Sequence, residues 1–224
     1  MIRRLYWLAA ASALAVTTQA MAKDADADSN TAWTLQDAIG NPDDVTLSGS
    51  LRARYEALAN DFRPGSNKND DILALRTTLF GEYRADPISI GAELMDSRVY
   101  FDNAGSPVSS NDVNALELIQ AYVGLDLHSA LGKGSQTSLE LGRFTMSLGS
   151  TRLVGRNNYR NATNAFAGFK ADYQAADKTS VTAFYTLPLT RLPGDEQGIL
   201  DNKVEWDRES FDLAFWGAFV NKPG

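Results

Sequence analysis

The sequence predicts an all-β fold, a transmembrane antiparallel β-barrel, and three observations support this fold class. Apolar and polar side chains alternate from residue 45 onward, which is the period of a strand with one apolar face. The alternating runs reach the roughly nine to eleven residues that a tilted strand needs to cross a bilayer. Short and long connections also alternate along the chain.

The first two strands show the alternation most clearly. In the first, Leu47, Leu51 and Tyr55 alternate with polar residues over about a dozen positions, roughly twice the mean length of a strand in a globular protein. The second keeps the pattern, and shorter runs follow it. The predicted strands are residues 45–56, 73–84, 88–94, 119–127, 139–144, 165–173, 181–189 and 211–219.

The connections between these strands fall into two classes. Residues 86–87 and 174–178 are short turns, whereas the long connections are residues 57–71, 101–114, 147–163 and 191–208. This is the layout of an outer-membrane barrel, whose longer loops face the cell exterior. A water-soluble β-sandwich is the competing fold, because its strands alternate too. We favour the barrel because aromatic residues stand near strand ends, as an interfacial girdle requires, namely Tyr55, Tyr83, Tyr173, Tyr185 and Phe219.

The N-terminus has the pattern of a secretory signal peptide, residues 1–22. Arg3 and Arg4 precede a short apolar stretch, and residues 20–22 read Ala-Met-Ala, a small-residue cleavage signature. Residues 23–44 follow as an acidic leader that we expect to be solvated, and residues 45–224 as the outer-membrane barrel segment. We therefore expect localisation in the outer membrane.

The composition excludes several classes of function. The chain has no cysteine and one histidine, which rules out a thiolate metal site, a cysteine nucleophile and a multi-histidine centre. It has 21 Lys and Arg against 28 Asp and Glu, so nucleic acid is not an expected partner. No Gly-x-Ser-x-Gly motif is present, so a barrel hydrolase is a minor alternative. We expect no enzyme activity, catalytic residue, metal or cofactor.

The polar face of the strands carries the candidate selectivity residues. An arginine that faces lipid at the midplane costs about 2 to 4 kcal/mol, so the strand arginines should face the lumen. Guanidinium groups in a narrow lumen bind carboxylates and favour anions. A ladder of ion pairs that only fills the lumen is the alternative. The inward candidates are Arg52, Arg54, Arg76, Arg84 and Lys170, with Glu56, Glu82, Glu93 and Glu140 on the same face.

The middle of the chain carries motifs of a known family. Residues 141–144, 149–155 and 157–168 read LGRF, GSTRLVG and NNYRNATNAFAG. With shorter matches at residues 51–56, 93–98 and 120–123, they resemble the alginate export family of outer-membrane porins over residues 45–173. Phe144, Tyr159 and Ala167 differ from the family pattern.

The resemblance implies a monomeric barrel of about eighteen strands, whose arginine-rich constriction passes an acidic polysaccharide or other anions. The strands predicted above would form the N-terminal half of such a barrel. A barrel that anchors or adheres without transporting is the main alternative, and outer-membrane lipid is an expected partner in either case. By motif, the constriction arginines would be Arg52, Arg54, Arg143 and Arg152, with Glu93, Asp96 and Arg98 as their partners.

Overall fold

The computed structural model describes residues 34–60 and 69–223. The predicted signal peptide, residues 1–22, lies outside the described residues, as do residues 23–33 of the predicted leader. Within the described part, no helix is both long enough and apolar enough to cross a membrane.

The described residues form nine strands and two short helices. The strands are β1 (Val45–Ala59), β2 (Asn69–Ala85), β3 (Ile88–Tyr100), β4 (Asn114–His128), β5 (Gln136–Phe144), β6 (Phe166–Gln174), β7 (Ser180–Thr190), β8 (Arg208–Glu209) and β9 (Phe215–Asn221). The helices are α1 (Leu35–Ala38) and α2 (Glu196–Leu200).

The strands build one antiparallel meander. Each strand from β1 to β7 pairs with the next in the chain, β7 also pairs with β9, and β8 adds a two-residue bridge to β7. Within the described residues the sheet is not closed, and an open antiparallel meander fits part of the predicted β-barrel. The short turns at residues 86–87, 129–135 and 175–179 share one end of the sheet, which we call the turn end. The long connections that the structure describes, residues 101–113, 145–165 and 191–207, share the opposite, loop end.

The strand bounds differ from the prediction most in β2, β3, β4 and β9. Residues 210–213 close a turn, in which the Leu213 amide donates to the Ser210 carbonyl over 3.3 Å, so β9 begins at Phe215 rather than at residue 211. β4 begins at Asn114, five residues earlier than predicted, because two bulges break the alternation there.

The end of the predicted acidic leader is attached to the start of the sheet, although none of residues 34–44 is buried. Thr34 caps α1 through a capping box with Asp37. The Gln36 side chain donates to the Val45 carbonyl and accepts from the Leu47 amide, both over 2.7 Å. It thereby satisfies backbone groups at the start of β1, where an unpaired strand edge would be exposed.

The strand register separates two faces. Arg52 pairs with Arg76 across β1 and β2, and Arg76 pairs with Ser97 of β3, so these side chains share what we call the inner face. The opposite, outer face carries a row of apolar residues. Leu51 and Leu141 are 62% and 67% exposed there, whereas Arg52 is 8% exposed. An apolar exposed face is what contact with lipid requires.

Phe219 departs from the predicted aromatic girdle. Its register partner is Thr182, on the inner face, and a Cβ on Gly149 would lie 2.9 Å from the Phe219 ring. The ring therefore packs against the connection between β5 and β6 instead of facing outward.

Candidate functional site

The connection between β5 and β6, residues 145–165, crosses the inner face of the sheet. Near its beginning, Gly149 abuts Phe219 of β9. Near its end, Asn161 contacts the backbone of β2 and β3. We call these residues the crossing segment. It reaches across the inner face from the first strands of the open sheet to the last one.

The strand arginines hold this segment by its backbone. Arg52 donates to the carbonyls of Asn158 and Arg160, the latter over 2.8 Å. Arg54 donates to the Tyr159 carbonyl, and Arg76 donates to the Arg160 carbonyl over 3.2 Å. The structure thus brings together three of the residues predicted from sequence, and it engages all three with one short stretch of chain.

These arginines differ in their charge partners. Arg54 Nε lies 2.5 Å from Glu56 Oε1, and its guanidinium stacks on the Tyr159 ring at 5.1 Å from the centroid. No described carboxylate lies within 4.0 Å of Arg52 or Arg76. Neither of these two guanidinium groups therefore forms a direct ion pair with a described acid, although Glu56 and Glu93 lie close enough to interact with them electrostatically.

Glu93 has a partner that the sequence did not suggest. Arg156 of the crossing segment donates to both Glu93 carboxylate oxygens, one of them over 2.6 Å, and Gln120 adds a third hydrogen bond. Glu93 was expected to pair with the strand arginines. Glu93 instead forms a bidentate ion pair with Arg156, which connects the crossing segment to β3.

Arginines of the crossing segment also line an open cavity. The cavity has a volume of about 750 Å³, and Arg152, Arg156 and Arg160 line it together with asparagines. Arg152 and Arg160 are exposed. Arg160 and the nearby Arg191 both donate to the side-chain oxygen of Asn111. Burial, with the charge of Arg160 close by, lowers the pKa of Arg191.

The turn end of the inner face is charge-balanced. Arg84 lies 2.6 Å from Glu82 and 2.8 Å from Asp126. Lys170 similarly lies 3.2 Å from Glu140 and 3.1 Å from Asp172. Arg84 is eight positions along β2 from Arg76, or about 26 Å by strand rise. It therefore does not join the central arginines, and its own region matches the ion-pair ladder considered from sequence.

Asp96 and Arg98 are on the wrong face for the role predicted from the family motif. Asp96 pairs with Thr77 and Arg98 pairs with Leu75, both on the outer face. The two side chains bind each other, with Arg98 Nε 3.0 Å from Asp96 Oδ2. The physical reason is the period of two, since residues 96 and 98 alternate with the inward Glu93, Met95 and Ser97.

Arg143 belongs to a separate buried cluster near the loop end. It lies 2.5 Å from the fully buried Glu117 and 2.9 Å from Glu209. Asp207 completes the cluster, since its amide donates to Glu117 and its carboxylate accepts from Asn114 over 3.0 Å. Burial raises the pKa of Asp207 to about 6. This cluster anchors the connection between β7 and β9 and is distinct from the Arg52 site.

Sequence reasoning missed Arg156, Arg160, Asn161 and Arg191, although the first three lie in or beside the motif segment. Their partners are far away in the chain, so no local pattern reveals them. In the described ranges 34–60 and 69–223, no group of three or more acidic or histidine side chains is placed to hold a metal ion.

Comparison with known proteins agrees with this architecture. The family model for alginate export matches residues 43–217, which is most of the chain. No curated protein and no solved structure matches. An open antiparallel sheet with an exposed apolar face fits that match. The chain therefore belongs to the alginate export family, a family of outer-membrane transport porins and not of enzymes.

Proposed function

We propose that this chain forms part of a channel for anionic solutes, acidic polysaccharides among them, and that its arginines select for negative charge. The observation that carries the proposal is a set of arginines that make no direct ion pair with a described carboxylate. Among described residues, five arginines on or beside the crossing segment have no carboxylate within 4.0 Å; they are Arg52, Arg76, Arg152, Arg160 and Arg191. Fixed positive charge in a confined passage attracts anions and repels cations.

The arginines divide into two roles in this proposal. Arg52 and Arg76 are occupied by backbone carbonyls, so they add fixed positive charge and hold the crossing segment in place. Arg152 and Arg160 expose their side chains to the cavity, so they are the ones that contact a passing carboxylate. The apolar outer face contacts outer-membrane lipid.

The proposal is tested by the reversal potential of the full-length protein in planar bilayers under a salt gradient. The unmodified channel is expected to prefer chloride over potassium. The double change Arg152→Gln with Arg160→Gln should lower that preference several-fold, because it removes the exposed cations without touching the strands. Lys133→Gln with Lys178→Gln is the matched control, since it removes two exposed positive charges at the turn end. A cation-preferring channel, or a double variant with an unchanged reversal potential, would contradict the proposal.

A further inference from the structure

We infer that Asn161 pins the crossing segment to the inner face, and that this segment, more than the strands, sets the width of the passage. The inference rests on the chain forming a channel, as proposed above. It does not depend on the sign of the charge that the channel prefers.

The Asn161 side chain is fully buried and makes contacts in several directions. Its Nδ2 donates to the carbonyls of Leu75 and Asp112, both over 2.9 Å, and to the Arg98 carbonyl over 3.2 Å. Its Oδ1 accepts from Arg52 Nη2 over 3.1 Å. One side chain thus joins the crossing segment to β1, β2, β3 and the connection after β3.

The backbone at this position is held as well. Ser97 Oγ donates to the Asn161 carbonyl over 2.8 Å. The next residue, Ala162, is also fully buried, and its amide donates to the Asn111 carbonyl over 2.8 Å. Residues 161–163 are therefore the most deeply buried part of the crossing segment, between the exposed residues 158–160 and 164.

The chemistry at this position fits asparagine. The site presents carbonyl oxygens on one side and a guanidinium on the other, so it needs a donor and an acceptor on one short side chain. Aspartate has the same shape, but its carboxylate would face those carbonyls without a proton to share. Alanine would leave the buried carbonyls without this donor, and an unmet buried acceptor is costly.

The other part of the crossing segment is held differently. Met146 and Val154 pack in an apolar cluster with Phe144, Phe166 and Phe184. Loss of the Asn161 contacts should therefore loosen residues 158–164, while residues 146–154 remain packed and Arg156 remains paired with Glu93. A half-released segment would leave more open space on the β1–β3 side of the inner face, which is why we expect a wider passage.

The attachment of the crossing segment by Asn161 is tested first, by chemical labelling of the full-length protein. The chain has no native cysteine, and Thr163 is 1% exposed with a side-chain oxygen that makes no described hydrogen bond, so Thr163→Cys is a buried reporter. In this background, Asn161→Asp and the milder Asn161→Ser should each raise the rate of maleimide labelling by about tenfold or more. Asn158→Ala, at an exposed position three residues away, is the matched control and should leave the rate unchanged.

Heat-modifiable gel mobility selects the variants that retain a folded barrel, and Asn161→Ser supplies the comparison if Asn161→Asp does not fold. If the cysteine reporter stays protected from maleimide in a folded Asn161 variant, the inference that Asn161 holds the crossing segment on the inner face is overturned.

The width is tested by swelling of liposomes in uncharged sugars of increasing size. Folded Asn161 variants should admit larger sugars than the parent. Increased labelling with an unchanged size limit would overturn the claim that the segment sets the width. A parent channel that prefers cations would refute the proposed function but leave this inference intact, because neither labelling nor neutral-sugar passage depends on charge preference.

Discussion

Replacing Arg52 with alanine should detach the crossing segment from β1. The Arg52 side chain donates to the carbonyls of Asn158 and Arg160 and to the Asn161 side chain, and it is 8% exposed. Hydrogen bonds to a charged group contribute about 1.5 to 3 kcal/mol each. Because the partners share one network, the three losses do not add, and we expect a local destabilisation of about 3 to 5 kcal/mol.

Amide hydrogen exchange of residues 156–164 measures this loss directly. A change of 3 kcal/mol corresponds to an increase of roughly a hundredfold or more in the open population and in the exchange rate. Arg84→Ala is the matched control, since Arg84 binds Glu82 and Asp126 at the turn end and contacts no part of the crossing segment within the described residues. Equal protection of residues 156–164 in Arg52→Ala and in the parent would refute the reasoning that this guanidinium fastens the segment.

Two further predictions concern the loop-end cluster and the outer face. Asp207 binds more protons in the folded than in the unfolded chain between about pH 4 and 6, because burial raises its pKa to about 6. The stability of the connection it anchors should therefore fall by on the order of 3 kcal/mol as the pH rises through that window and stay level above it. Asp207→Asn should flatten that profile in pH-dependent hydrogen exchange, and a slope that persists would contradict the assignment. Leu79→Arg on the outer face should destabilise the folded barrel by about 2 to 4 kcal/mol in urea unfolding, whereas Ser48→Arg on the inner face should not; equal effects would contradict the assigned faces.

The fold could be predicted from the sequence because two local patterns, the period of the strands and the lengths of the connections, indicate it. The period of two in β1 and β2 places Leu51 and Arg52 on opposite faces without knowledge of any neighbour. The alternation of short and long connections gives the meander. The strand bounds near Asn114 and Phe215 were less predictable, since bulges and a turn interrupt the period there.

The candidate site was only partly predictable. The same period of two, counted from Glu93, places Asp96 and Arg98 on the outer face, whereas the family motif implies a constriction role for both residues. Asn161 carried no local signal, since it binds a carbonyl 86 residues away. The contacts between the strand arginines and backbone carbonyls could not be predicted either, because they depend on how the crossing segment folds over the sheet.

Spin-label accessibility along β1 and β2 tests the central claim, that the apolar face meets lipid and the arginine face meets water. Single cysteines at Leu51 and Leu79 report the outer face, and single cysteines at Ser48 and Ser50 report the inner face. In reconstituted membranes, the outer labels should collide mainly with oxygen dissolved in the bilayer, and the inner labels with a water-soluble nickel chelate. Inner labels that favour oxygen, or outer labels that favour the chelate, would contradict the assigned faces and the channel built on them.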